Sequence, residues 1–157
     1  MKSIEEFYPE LEGSSFRFVR RGISIPGNRR PIWRVGLLCL ILSLCCRGKK
    51  SSFVRLQILD WCCRSENGRD QMDRFLDQAL RTSAIQLDPA TLRAVNFGIA
   101  AEFFEFDGKR VSLINQGLDF AKEIENSDVY ADEKQVLNEW KKAFRESDVS
   151  AFLGARK

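Results

Sequence analysis

The run Val35-Gly-Leu-Leu-Cys-Leu-Ile-Leu-Ser-Leu-Cys-Cys46 constrains the fold more than any other part of the chain. Its twelve residues carry no charge, and Arg34 and Arg47 bracket it. A membrane-spanning helix needs about 20 apolar residues, so this run is too short to cross a bilayer and has to be buried in protein. It predicts a central helix covered over most of its circumference. Pro31 suits the first turn, where its missing N–H would be unpaired in any case. Gly48 is the natural stop, which places the helix over about residues 31–46.

A helix buried on most sides needs other elements around it. The 157 residues suffice for one domain with a sizeable core, and 44% hydrophobic with 30% charged residues excludes a wholly disordered chain. Ser51 or Ser52 can cap a second helix carrying Phe53, Leu56, Ile58, Leu59 and Cys63 at helical spacing. Asn67-Gly68 is expected to break it, and a third helix over roughly Arg69 to Arg81 would bury Met72, Phe75 and Leu76. Ala84 to Leu87 reads as a short strand. Asp88 as N-cap and Pro89 at the first helical position then predict a helix running through Leu92, Val95 and Ile99 to about Ala101.

Asp107-Gly108 lies between two β-prone runs, a hairpin signal. Asn115 is expected to cap a further helix with Leu118, Phe120, Ala121 and Ile124. Beyond Asn126 the chain turns polar. Val129, Val136, Leu137, Trp140, Phe144, Val149 and Phe152 suggest one or two amphipathic helices, docked on the domain or on a partner. Before Pro31 the periodicity is weak. Ile4 to Tyr8 suggests a helical turn, Phe16 to Ile25 an extended segment, and Ile25-Pro26-Gly27-Asn28 a turn. The fold class is mainly α with a small β-hairpin, in three parts: a basic segment 1–30, a domain over 31–126, and an amphipathic helical extension over 127–157.

Reactive groups are few. There is no histidine, which removes imidazole as base, shuttle or metal ligand. No glycine-rich phosphate loop and no nucleophile elbow occurs. The odd set of five cysteines, without a signal peptide, points to a reducing cytoplasm rather than to a disulfide framework. Vicinal pairs such as Cys45-Cys46 and Cys62-Cys63 point about 100° apart on a helix and converge badly on one ion. They read as small hydrophobes of the core. No enzyme activity, cofactor, metal or membrane association is expected.

Charge is the remaining signal. From Gly13 to Leu59 there is no acidic residue but ten Lys or Arg. Residues 1–60 carry a net +6 and the rest a net −3, so the overall +3 conceals two oppositely charged parts. Arg17, Arg20, Arg21, Arg29, Arg30 and Arg34 precede or open the central helix, interleaved with Phe16, Phe18 and Trp33, and Arg47, Lys49 and Lys50 follow it. Such a pattern can grip a phosphate backbone without reading sequence. It can equally dock an acidic protein surface, or simply be solvated.

Helix, hairpin, helix is the closing order of a winged helix, and Ser112-Leu-Ile-Asn-Gln-Gly-Leu-Asp-Phe-Ala121 resembles the passage from wing to last helix in many such domains. The extra helix before the candidate recognition helix implies an expanded winged helix-turn-helix. That recognition helix, Asp88 to Ala101, offers only Arg93 and Asn96 to a nucleic acid, and the wing offers Lys109 and Arg110. Sequence-specific readers usually present more Arg, Lys and Gln.

Arg30-Pro-Ile-Trp-Arg-Val-Gly-Leu-Leu38, Arg47-Gly-Lys-Lys-Ser-Ser52 and Arg55-Leu-Gln-Ile-Leu-Asp-Trp61 together resemble the middle component of bacterial ABC three-component systems, which include the Lamassu-type anti-phage and anti-plasmid systems. The resemblance covers roughly residues 25–125. It implies a small non-catalytic subunit that binds an SMC-like ATPase and couples it to an effector such as a nuclease; whether the basic stretch then meets DNA backbone within the complex or a protein partner stays open. A stand-alone winged-helix DNA-binding regulator is the alternative.

Overall fold

The computed structural model describes residues 30–78 and 88–154. Helix α1 (Pro31–Cys45) carries proline in its first turn and ends at an extended Cys46; Gly48 follows at φ 67° in a short 3-10 turn. Every residue from Arg34 to Leu42 is buried. Its cover comes from both ends of the chain, for α1 packs against the second, fourth, fifth and sixth helices.

Helix α2 (Phe53–Arg64) starts at Ser52, whose hydroxyl accepts the Arg55 N–H at 3.2 Å. Helix α3 (Glu66–Gln78) begins earlier than expected, and Asn67-Gly68 lies in its first turn rather than breaking the chain. The break falls at Ser65, which is extended and accepts the Gly68 N–H at 3.0 Å on its Oγ. A serine cap outweighs the turn-forming Asn-Gly pair. The strand expected over Ala84 to Leu87 lies outside the described residues, as do all readings before Arg30.

Asp88 and Pro89 start helix α4 (Pro89–Ala100) as the sequence predicts, with Asp88 Oδ1 accepting the Ala90 N–H at 2.8 Å. Strands β2 (Phe104–Phe106) and β3 (Arg110–Leu113) form the expected hairpin. Asp107 Oδ1 holds the turn by accepting from both Lys109 and Arg110 N–H, and Gly108 supplies the positive φ of 92°. A third strand, β1 (Lys50–Ser52), pairs with the other edge of β3, so the sheet is three-stranded and antiparallel in the order β1-β3-β2. Three polar residues have no strand pattern of their own; β1 exists because β3 gives it a partner.

Helix α5 (Asn115–Glu125) lacks the predicted asparagine cap. Asn115 is already the first helical residue, at φ 37°, and the cap position falls on Ile114, which has no side-chain oxygen. Helix α6 (Ala131–Trp140), a 3-10 turn (Glu146–Asp148) and the short α7 (Val149–Phe152) complete the chain. They dock on the other helices. Leu137, Trp140, Phe144 and Phe152 belong to the same buried cluster as α1. Phe75, Phe144 and Phe152 form an edge-to-face trio with centroids 5.2–5.8 Å apart, and Trp140 Nε1 donates to Asp73 at 2.8 Å. Among the described residues no helix is long and apolar enough to cross a membrane.

Candidate partner-binding faces

Two surfaces stand out, one around α4 and the other around the joint of β1 and β3 with the C-terminal segment. A buried polar network fixes α4. Asp60, fully inaccessible at the inner face of α2, accepts from Thr91 Oγ1 of α4 at 2.8 Å and from Arg64 Nε at 3.1 Å. Asp88 Oδ2 takes Arg34 of α1 at 2.7 Å and Arg64 of α2 at 3.4 Å. The carboxylate that starts α4 therefore also ties it to α1 and α2.

This network corrects one expectation. Arg34 was expected among the partner-contacting cations, but it is buried and spent on Asp88. An arginine one turn into a helix that must be covered can be tolerated only with a carboxylate brought to it.

The inward side of α4 is made of small residues: Thr91, Ala94, Val95 and Gly98 are buried. Gly98 lies against the Phe104 ring, which a Cβ there would meet at 2.3 Å. Of the three apolar residues that the sequence pattern aligned, only Val95 is buried; Leu92 and Ile99 remain 48% and 37% exposed, as does Phe97 at 50%. The small side chains and the Thr91–Asp60 bond decide which way α4 rolls. Seven residues of α4 are exposed, namely Pro89, Leu92, Arg93, Asn96, Phe97, Ile99 and Ala100, and only Arg93 is charged. At 100° per residue, Leu92 and Ile99 flank this outer face on one side and Phe97 on the other. Phe106, at the end of the strand on which α4 packs, is also half exposed.

The second surface is a cleft of roughly 810 Å³ lined by Cys45, Arg47, Gly48, Lys50, Arg55, Arg110, Lys142, Arg145 and Glu146. Register places Lys50 opposite Ser112 and Ser52 opposite Arg110, on the outward face of the sheet, while Ser51 and Val111 are buried beneath. Arg55 is buried, and its guanidinium donates to the Phe144 carbonyl and, at 3.0 Å, to the Cys45 carbonyl. Glu146 accepts from Ser52 N–H and Ser52 Oγ, both at 2.7 Å, and from Ser51 Oγ at 3.3 Å. These bonds hold the segment that carries Lys142 and Arg145 against β1.

Two carboxylates here have lowered pKa values. Burial pushes Glu146 up, but the Ser52 hydrogen bonds and the Arg55 charge outweigh it. Burial likewise opposes, and the Ala90 N–H and Arg34 overcome, in Asp88. Groups depressed in the folded state stabilise it above their unfolded values and lose that contribution as pH falls through the folded ones. Urea unfolding midpoints should therefore fall on acidification below about pH 4.5, the ordinary glutamate value. The E146Q/D88N double variant is expected to show a shallower fall. An unchanged acid slope would refute this origin.

Of the cations singled out in the sequence, Lys50 and Arg110 meet in the cleft, joined by Arg47. Lys49 is half-buried, Lys109 is exposed at the hairpin turn, Arg93 is exposed on α4, and Arg30 is exposed at the start of α1. Arg17, Arg20, Arg21 and Arg29 lie outside the described residues. Sequence reasoning missed Arg55, Lys142 and Arg145. The available signal was a lone arginine on the apolar face of α2 and a basic pair in an otherwise mixed tail.

All five cysteines are buried and unpaired, and among the described residues no cluster suited to a metal occurs. Burial pushes the thiols of Cys39 and Cys45 up to about 12. No protein-family model, no curated protein and no solved structure matches the chain.

Proposed function

We propose that this chain is a non-catalytic accessory subunit of an SMC-like ATPase complex in bacterial anti-phage or anti-plasmid defence, bridging the ATPase to an effector such as a nuclease. Residues 31–126 act in this reading as an expanded winged helix, with α4 in the recognition position and β2–β3 as the wing. The order α1, β1, α2, α3, α4, β2, β3 and the sheet order β1-β3-β2 suit that assignment. The single observation that carries the reading is the outer face of α4. A helix that reads bases usually presents several arginine, lysine and glutamine side chains, whereas the outer face of this one offers only Arg93 and Asn96 and is flanked by exposed Leu92, Ile99 and Phe97. Apolar side chains on a recognition-position helix fit a protein groove.

The test is whether a gene beside this one encodes an SMC-like ATPase and whether the chain captures it. The L92D/F97D double variant is expected to lose capture by roughly 100-fold, since buried anchor residues at an interface each contribute about 2 kcal/mol or more. Both residues face solvent, so the unfolding midpoint should stay within about 0.5 kcal/mol of the parent. A monodisperse monomer that ignores the ATPase overturns the reading. The alternative, a stand-alone winged-helix regulator, draws on exposed Arg93 and on Lys109 and Arg110 at the wing. It requires that neutralising Arg93 and Lys109, which lie outside the cleft lined by Arg110, abolish duplex binding.

A further inference from the structure

We infer that the cleft between β1, β3 and the 142–146 segment is a second binding site, independent of α4, that takes the phosphate backbone of a nucleic-acid duplex without reading its sequence. Six cations and one carboxylate line it. Their roles divide. Arg55 is buried and occupied by two backbone carbonyls, and Glu146 is occupied by Ser51, Ser52 and Arg55. Arg47, Lys50, Arg110, Lys142 and Arg145 are all exposed, and among the described residues none of the five is in an ion pair. Glu105 shares the outward row of the sheet through Ser112 but does not line the cleft.

Five like charges around one concavity repel one another; the exposed Asp107 carboxylate at the hairpin turn offsets part of this at Arg110 and Lys50, and an anion that enters relieves the rest. The lining also selects the kind of anion. It holds no aromatic ring and no Val, Leu, Ile or Met, so its apolar surface is that of the Lys and Arg stems and Cys45 rather than of a pocket for an anchor. A nucleotide or a single strand would need a surface on which to stack a base, and an acidic peptide gains its affinity from apolar or aromatic anchors in pockets. Spaced cations without either are suited to a repeated phosphate presented on the outside of a duplex. The site draws on three separated stretches of chain, and Arg55 and Glu146 hold the third against the first. Arg93 is on α4, whose start is tied to the opposite, N-terminal end of α1 from the Cys45 end that lines the cleft.

The experiment is titration of the full chain into a fluorescent mixed-sequence DNA duplex over a series of salt concentrations. Log affinity should fall linearly with log salt at a slope of about −4 to −5 if all five cations meet phosphates. The R47Q/K142Q/R145Q variant should flatten that slope by about 2 to 3 and weaken low-salt binding roughly 100-fold. Its far-UV dichroism and unfolding midpoint should be unchanged because all three residues are exposed. R93Q should bind like the parent. The inference is overturned if the triple variant keeps the parent's affinity and slope, whichever other residues then prove to carry the binding. It is also overturned if R93Q takes the loss, or if polyglutamate displaces the duplex more effectively than unlabelled duplex does. ATPase capture reports on α4 alone, so the accessory-subunit reading and this one fail separately.

Discussion

Asp60→Ala is expected to lower the unfolding free energy by about 3 kcal/mol, at the lower end of the range for breaking a buried ion pair from one side. Asp60 is fully inaccessible, and its two oxygens hold Arg64 of α2 and Thr91 of α4. Alanine would leave the Thr91 hydroxyl buried without a partner and remove the carboxylate nearest Arg64. The cost is not at the upper end because the Arg64 side chain keeps 20% of its exposure and can still reach Asp88. Asp60→Asn retains an acceptor for Thr91 but not the charge, and should lose about half as much. Urea titrations with an unchanged m-value check both. A loss under about 1 kcal/mol for alanine would mean the network is ornamental to stability.

Arg55→Met should lower stability by about 2–4 kcal/mol, and the damage should be local to the C-terminal segment. Methionine preserves most of the buried stem, so the change isolates the guanidinium. Without it the Phe144 and Cys45 carbonyls lose a charged donor inside the protein, each at about 1–3 kcal/mol. Glu146 also loses the cation 3.8 Å away. Arg55→Lys keeps the charge but cannot span two carbonyls with one planar fork, so it should rescue only in part. Tryptic cleavage after Lys141, Lys142 and Arg145 under native conditions should accelerate in the methionine variant well before global unfolding. Equal cleavage rates in parent and variant would show that the aromatic trio alone pins this segment.

The local signals were legible from sequence, and the long-range ones were not. A cap, a first-turn proline and an Asp-Gly turn each act within a few residues, so Ser52, Asp88-Pro89 and Asp107-Gly108 announce themselves. The central apolar run did so as well, since no water-exposed position could hold it. Strand β1 was hidden because its reason for existing lies some sixty residues later, in β3. The roll of α4 was hidden because close packing prefers the small Thr91, Ala94 and Gly98 to the larger Leu92 and Ile99, inverting the usual reading of an apolar stripe. The fate of Arg34 depended on a carboxylate 54 positions away. The cleft was half visible. Its Arg47 and Lys50 stood in the acid-free stretch, while Lys142 and Arg145 join them only through a fold whose closing contacts run between Arg55, Phe144 and Glu146.

The Asp88 carboxylate has a mechanical consequence. It begins α4, grips Arg34 in the central helix and reaches Arg64 in α2, all through one side chain. The first turn of α4 is therefore cross-linked by side chains to two other helices. A partner on Leu92 and Phe97 would pull on a helix anchored at that end, and the load would pass through Asp88 and Arg34 into α1, at the opposite end of that helix from the β1–β3 cleft.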